Sequence, residues 1–256
     1  MMIKLFLVLL AIAQTTWMNE SFADSHINVS YPQWPPYFYG KQDKKGFGRD
    51  IIEQCLAQMK QDHSFKYMPI ARANKTTQMG LIDLNVYSKK KGREEWLHYG
   101  SEPLYEVTYN PVTLKSKSIR LSGLKDFDPY RIGHQIGMKY SLEYQDYLNS
   151  RRTQKGVDEV RNHESNMRKL LHGRIDVYVS TRSDIEIMAK QLKVSDQIRV
   201  HDLEIRKAKY YLTVPKNAKN VKEPKKLLGA LDSCLKKMKA TGSYCNLAKG
   251  YGVPCP

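Results

Sequence analysis

Beyond Ala13 the sequence has no long apolar run. That absence excludes a membrane-spanning helix in the body of the chain, which needs about 20 apolar residues. Cysteine is scarce: Cys55, Cys234, Cys245 and Cys255 are the four present, and their spacing does not resemble a zinc site. There is no Ser-His-Asp pattern, no metal-ligand cluster and no glycine-rich phosphate loop. His63, His98, His134, His163, His172 and His201 are scattered and read as surface or loop residues. Low-complexity tracts are missing too, so the chain is not of the disordered class. Acidic residues are in deficit, 26 against 42 basic ones, giving a net charge of +16.

That charge favours anionic partners, whether nucleic acid, lipid, cell-wall polymer or small acids. The basic residues are spread along the chain, however. The densest runs, KSKSIR and KNAKNVKEPKK, read as solvated surface and carry no nucleic-acid motif, so nucleic acid is not expected as a partner. No cofactor or metal is expected.

At the start, a lysine precedes the apolar stretch Leu5–Ala13, and Ser21 and Ala23 are small residues suited to cleavage before Asp24. Residues 1–23 are read as an export leader. The first cysteine, Cys55, is far from that point, so no lipid anchor is expected. The remaining chain of about 230 residues is long enough for one large or two small domains. An exported compartment permits disulfides. Four cysteines allow three full pairings. Cys55 and Cys234 fall on apolar helix faces, where buried thiols are the alternative; Cys245 and Cys255 flank a tail that one bridge could staple.

Strand and helix signals alternate, which argues for an α/β architecture. Alternation at Ile27–Ser30 predicts a first strand. Next comes YPQWPPYFYG, a stiff loop, because proline lacks an N–H donor and fixes φ. GFGRDIIEQCLAQMK has apolar residues at helical spacing. SFKYMPI is a strand, ARANKTTQMG a helix closed by glycine, and LIDLNVYS a strand. A second round repeats this order: YRIGHQIG, then MKYSLEYQDYLNS, GVDEVRNH, ESNMRKLLHG and RIDVYVST. EVTYNPVTLK and KAKYYLTVPKN are strands placed to join the two rounds. The chain closes on an amphipathic helix through Leu227, Leu231 and Leu235, then a turn and a short last helix.

The motifs WPPYFY, GFGRDII, GLID, GREEWLHYGSEPLY, LLHGRIDVYV, YYLTVPKN and LKKMKATGSYCNLAKGYG, in this order, resemble the periplasmic substrate-binding proteins of polar amino-acid uptake. The resemblance spans nearly the whole exported chain. It implies a two-lobed type II periplasmic-binding-protein fold, its sheets joined by two hinge strands and closing on a small polar, carboxylate-bearing solute. It further implies a periplasmic monomer that serves an ABC permease or a membrane sensor. The lobes expected are 24–111 with 212–256, and 112–211.

The same resemblance proposes a pocket. Trp34 and Tyr37 would be aromatic walls at a strand's carboxyl end, where open sheets bind ligands. Arg93 matches the family's carboxylate-binding arginine, a planar fork that lysine cannot copy. Tyr87 and Ser88 would donate to the same group. Arg72 is a second cation, and Tyr140 and Ser141 stand at a helix start suited to an anion. Family members that bind amino acids carry an Asp after the GRID motif to hold the ligand's ammonium. Here Ser180, Thr181 and Arg182 stand near that position, with Asp184 later and Asp176 read as structural. Where Thr181 or Arg182 faces the cleft, an amino acid's ammonium is buried unpaired, so the pattern points to an anionic or unusual ligand; the solute expected is anionic or zwitterionic, an amino acid or a related acid. Two other classes remain open: a dehydratase-like enzyme on the same scaffold, with Glu102 as its acid, and a basic cell-wall module.

Overall fold

In the computed structural model the described residues are 25–40 and 44–255; the leader expected over 1–23 lies outside them. Among the described residues no helix is long and apolar enough to cross a membrane. The first round is β1 (Ile27–Tyr31), α1 (Phe47–Gln58), β2 (His63–Tyr67), α2 (Ile70–Gln78) and β3 (Asn85–Ser88). β1 pairs in parallel with β2, and Val29 makes a parallel bridge to Leu84 just before β3. The spatial order is therefore β2-β1-β3.

The long strand β4 (Leu97–Leu114) then leaves for the second round: β5 (Ile132–Gln135), α3 (Leu142–Thr153), β6 (Val157–Val160), α4 (His163–Leu171), β7 (Val177–Thr181) and α5 (Arg182–Gln191). β5 pairs in parallel with both β6 and β7, so the order β6-β5-β7 repeats that of the first round. A short β8 (Ile198–Val200) pairs with β4. β9 (Arg206–Pro215) returns, and α6 (Pro224–Ala240) and α7 (Ser243–Tyr251) finish the chain.

β4 and β9 are the connection between the lobes. They pair antiparallel from Leu97↔Pro215 to Tyr109↔Arg206. β9 holds β3 on its other edge, and β4 holds β7. Both strands thus run from one lobe's sheet into the other's.

The inner parallel strands β1, β5 and β7 are buried on both faces, as a helix-covered sheet requires, while the edge strands β2 and β6 are partly exposed. In the first lobe α1 packs Ile51, Ile52, Cys55 and Leu56 inward, and α6 packs Leu227, Leu228, Leu231 and Leu235. Cys55 and Cys234 join these helices as a disulfide, with Cα atoms 5.8 Å apart. Cys245 and Cys255 form the second bridge, at the chain's end. The apolar helix faces that suggested thiols are where two cysteines from distant parts of the chain meet.

Buried carboxylates fix other joins. Asp83 accepts from Asn28 N (2.9 Å) and Asn220 Nδ2 (3.0 Å), tying the first strand to the loop before α6. Asp232 on α6 accepts from Ser101 N (2.7 Å), Ser101 Oγ (2.8 Å) and Glu102 N (3.1 Å) on β4. Asp176 accepts from Lys117 Nζ and from Arg131 N (2.9 Å), which is the structural role expected of it.

Candidate functional site

The carboxyl ends of β1, β3 and β5 converge with the crossing strands on one cleft. Both lobes line it. Ser30, Trp34, Asn74, Asn85, Tyr87, Ser88 and Arg93 come from the first, and Gln135, Gly137, Met138, Lys139 and His163 from the second. Tyr109 and Tyr210, on the crossing strands, make its back wall. The cleft measures about 780 Å³, counting solvent at its mouth.

The proline-rich loop is a tight turn that holds Trp34 in place. Trp34 N donates to Phe38 O and Phe38 N donates back to Trp34 O, each at 2.9 Å. The loop leads into α1 through Gly46, whose φ of 99° and closeness to Tyr37 O (2.6 Å from where a Cβ would stand) demand glycine. The Trp34 ring lies edge-on to Tyr210, centroids 4.8 Å apart. Its Nε1 reaches across the cleft and donates to Thr181 Oγ1 at 3.2 Å. The lobes also meet where Gly137 passes α2: a Cβ there would stand 3.1 Å from Ile70 Cγ2.

Arg93 is set by the end of β3. Its Nη1 donates to Ser88 O (2.9 Å) and Ser88 Oγ (3.3 Å), and its guanidinium lies 4.7 Å from the Tyr87 ring centroid. Tyr87 in turn donates to Asn74 Oδ1 at 2.8 Å. The planar cation is therefore fixed from two sides, which reduces the rotamer entropy it would lose on binding.

Of the ten residues expected from the sequence, Trp34, Tyr87, Ser88 and Arg93 come together in the cleft lining, and Thr181 touches Trp34 from the other lobe. The rest stand elsewhere. Tyr37 is buried behind Trp34, stacked on Tyr105 with centroids 4.0 Å apart, and burial pushes its hydroxyl up to about 12. Arg72 is exposed on α2, outside the lining. Tyr140 is buried and donates to Val179 O at 3.0 Å. Ser141 caps α3, accepting from Tyr144 N. Arg182 turns out to Asp202 (3.0 Å) and Glu186. Residues that the sequence did not single out include Ser30, Asn85, Gln135, Lys139, Tyr109 and Tyr210; His163, read from the sequence as a surface or loop residue, is instead buried at the start of α4 and lines the cleft, and His134 and His201 are buried as well. The signal available for Ser30, Asn85 and Gln135 is their place at or near the carboxyl ends of parallel strands.

Electrostatically the cleft is one-sided. Arg93 and Lys139 are the charged residues of the described lining, and no carboxylate lies among them. Lys90 stands behind, its Nζ donating to Lys139 O. Burial, then the charges of Arg206, Arg93 and Lys139, bring its ammonium down to about 6. Such mutual repulsion is what a bound anion relieves.

Asp184, the nearest carboxylate in sequence to the expected ammonium site, does not border this cleft. It sits in the first turn of α5, 2 % exposed, accepting from Ser180 Oγ at 2.9 Å. Burial pushes its carboxyl up to about 7, against the lowering effect of the Ser180 bond. A carboxyl with a raised folded-state pKa favours folding while protonated; the contribution is complete below about 4 and is lost as pH rises through about 7. Asp184→Asn therefore gains on the order of 4 kcal/mol of stability over the parent at pH 8, shrinking to nothing near pH 4. Urea melts at the two pH values measure this; an equal difference at both contradicts it.

The geometry is that of a two-lobed α/β fold with a solute-sized cleft between the lobes. The family of bacterial extracellular solute-binding proteins, family 3, matches over residues 27–254, and the chain belongs to it. Solved structures share the fold. A histidine kinase sensor domain similar to periplasmic binding proteins superposes with a TM-score of 0.77 at 15% identity, covering 92% of this chain and 99% of that one. A substrate-binding protein of an ABC uptake transporter from Streptococcus pneumoniae, with bound histidine, gives 0.74 at 16% identity, covering 91% and 94%. An ancestral arginine-binding protein bound to arginine gives 0.71 at 19%, covering 89% and 98%. No curated protein matches the sequence.

Proposed function

We propose that this chain is a periplasmic receptor, not an enzyme, for a small organic acid without an α-ammonium group. The observation that carries this is the charge of the cleft: Arg93 and Lys139 in the described lining, Arg206 close by, and no carboxylate in that lining. The structural relatives named above hold histidine and arginine, which are amino acids. An α-ammonium entering this cleft would meet the cations Arg93 and Lys139 and no carboxylate of the described lining. A buried, unpaired ammonium is costly. The ligand's carboxylate goes to Arg93 and Ser88, with Trp34 and Tyr87 beside it.

Closure of the lobes about β4 and β9 buries the acid. The lobe limits that go with this reading are 24–111 with 212–256, and 112–211. The closed receptor, a monomer, presents itself to an ABC permease or a membrane sensor.

A thermal-shift panel on protein stripped by partial unfolding tests this. A ligand at 100 times its dissociation constant stabilises by about 2.7 kcal/mol. Keto, hydroxy or dicarboxylic acids should raise the melting temperature and α-amino acids should not. A shift with a common α-amino acid, and none with the acids, would replace this reading with an amino-acid receptor.

A further inference from the structure

The second lobe's side of the cleft carries a group of polar atoms with no partners. Eleven buried side-chain nitrogen and oxygen atoms in the described chain lack a hydrogen bond, and five of them belong to His134, Gln135, His163 and Asn166. These residues are neighbours. His134 and Gln135 end β5, and His163 and Asn166 open α4. A Cβ on Gly133 would stand 2.5 Å from Asn166 Oδ1, so the Asn166 side chain lies directly on the β5 backbone. Gln135 and His163 form the front of the group and line the cleft, 7 % and 8 % exposed. Asn166 lies behind them, 0 % exposed, while His134, 3 % exposed, turns to the other face of β5 against Tyr140. Gln135 Nε2 makes one long bond, to Arg161 O at 3.4 Å, while its Oε1 has none.

A buried polar group without a partner costs about 1–3 kcal/mol. Concentrating several in the wall of a ligand cleft makes sense where the ligand supplies the partners. We propose that Gln135 and His163 form a subsite for an uncharged hydroxyl or carboxamide group at the far end of the acid held by Arg93, so that the ligand is a hydroxylated or amide-bearing acid. This rests on the acid reading of the cleft and adds the ligand's class to it.

The chemistry follows from what these side chains can do. A neutral imidazole and a carboxamide each donate and accept. A hydroxyl or a primary amide does the same, so it satisfies both. A second carboxylate only accepts and brings a charge. Burial, with the neighbouring His134, holds His163 down to about 3, and burial with Arg152 holds His134 down to about 4, so neither supplies a balancing cation. An apolar tail leaves Gln135 Oε1 and His163 Nδ1 unpaired.

The test uses acids of equal carbon number that carry hydroxyls, an amide, a second carboxylate or no further polar group beyond the carboxylate held by Arg93. Titration calorimetry compares butyrate with threonate, succinamate and succinate, and hexanoate with gluconate. The variants are His163→Phe, Gln135→Leu and His163→Gln, each first checked by thermal melting. In the parent protein, threonate, succinamate or gluconate binds at least about tenfold tighter than its unsubstituted counterpart. Threonate against succinamate tells hydroxyl from amide. His163→Phe loses that advantage and still binds the unsubstituted acid, whereas His163→Gln keeps it. Gln135→Leu carries the same comparison if the phenylalanine variant does not fold. Equal binding within each pair overturns the proposal and leaves the acid reading standing. So does a preference for succinate, or an advantage that survives both apolar substitutions. If no acid binds at all, the acid reading falls and takes this one with it.

Discussion

Arg93→Ala lowers affinity for the acid ligand by about 2–5 kcal/mol, a loss between roughly thirty-fold and several-thousand-fold. The size follows from the site. An Arg–carboxylate pair inside a closed cleft is charge-assisted and shielded from water. The Ser88 carbonyl and hydroxyl and the Tyr87 ring hold the guanidinium before the ligand arrives. Arg93→Lys keeps the charge but loses the planar fork and the stacking on Tyr87. It should recover only part of the loss. Titration calorimetry of both variants, with melting curves of the unliganded proteins beside them, checks this. Full recovery by lysine would mean that Arg93 acts as a point charge and that the Ser88–Tyr87 frame is irrelevant to binding.

The largest stability effect belongs to the Cys55–Cys234 bridge. It spans 179 residues in sequence. In the chain-entropy account a loop of that length is worth about 5 kcal/mol, whereas the ten-residue spacing of Cys245–Cys255 is worth about 3. The double variant Cys55→Ala/Cys234→Ala should melt about 10–20 °C lower, taking roughly 2–4 °C per kcal/mol for a chain of this size. Cys245→Ala/Cys255→Ala should move it less. The physical reason is topological. α1 and α6 come from opposite ends of the chain, and the strands and helices from β2 to β9 lie between them in sequence. The bridge holds that contact in the unfolded ensemble too. Scanning calorimetry decides: a larger drop for the terminal bridge would contradict this account.

Most of this architecture is legible in the sequence because its signals are local. Helix periodicity in GFGRDIIEQCLAQMK, glycine stops after α2 and α4, and apolar strands after each glycine identify the two rounds. They also produce the repeated orders β2-β1-β3 and β6-β5-β7. The extent of β4 was not legible. Only Glu106–Lys115 reads as strand, whereas the strand begins at Leu97. Register shifts between Tyr99 and Pro103, and between Pro103 and Tyr105, break the alternation that would have revealed it. The three-residue β8 is too short to carry a pattern.

The site divides the same way. Arg93, Ser88 and Tyr87 are legible because they lie close together in sequence around one strand end. Trp34 is legible from the prolines that stiffen its loop, but those prolines do not say which ring faces outward. Trp34 takes the cleft and Tyr37 takes the core against Tyr105. Arg72 and Arg182 sit at the starts of α2 and α5, where one residue of helical phase separates the cleft from solvent. Gln135 and His163 come from different strands and helices of the second lobe, and only the parallel pairing of β5 with β6 and β7 brings them side by side.

The central claim is that the cleft between the lobes takes an acid and refuses its α-amino counterpart. The most direct measurement is a pair of calorimetric titrations on the stripped protein. One uses the acid giving the largest thermal shift, and the other the α-amino acid with the same carbon skeleton. The account predicts saturable binding of the acid and at least about a hundredfold weaker binding of the amino acid, the cost of leaving an ammonium unpaired in this cleft. Equal or tighter binding of the amino acid would contradict it, and would mean that a carboxylate outside the described lining reaches the ligand.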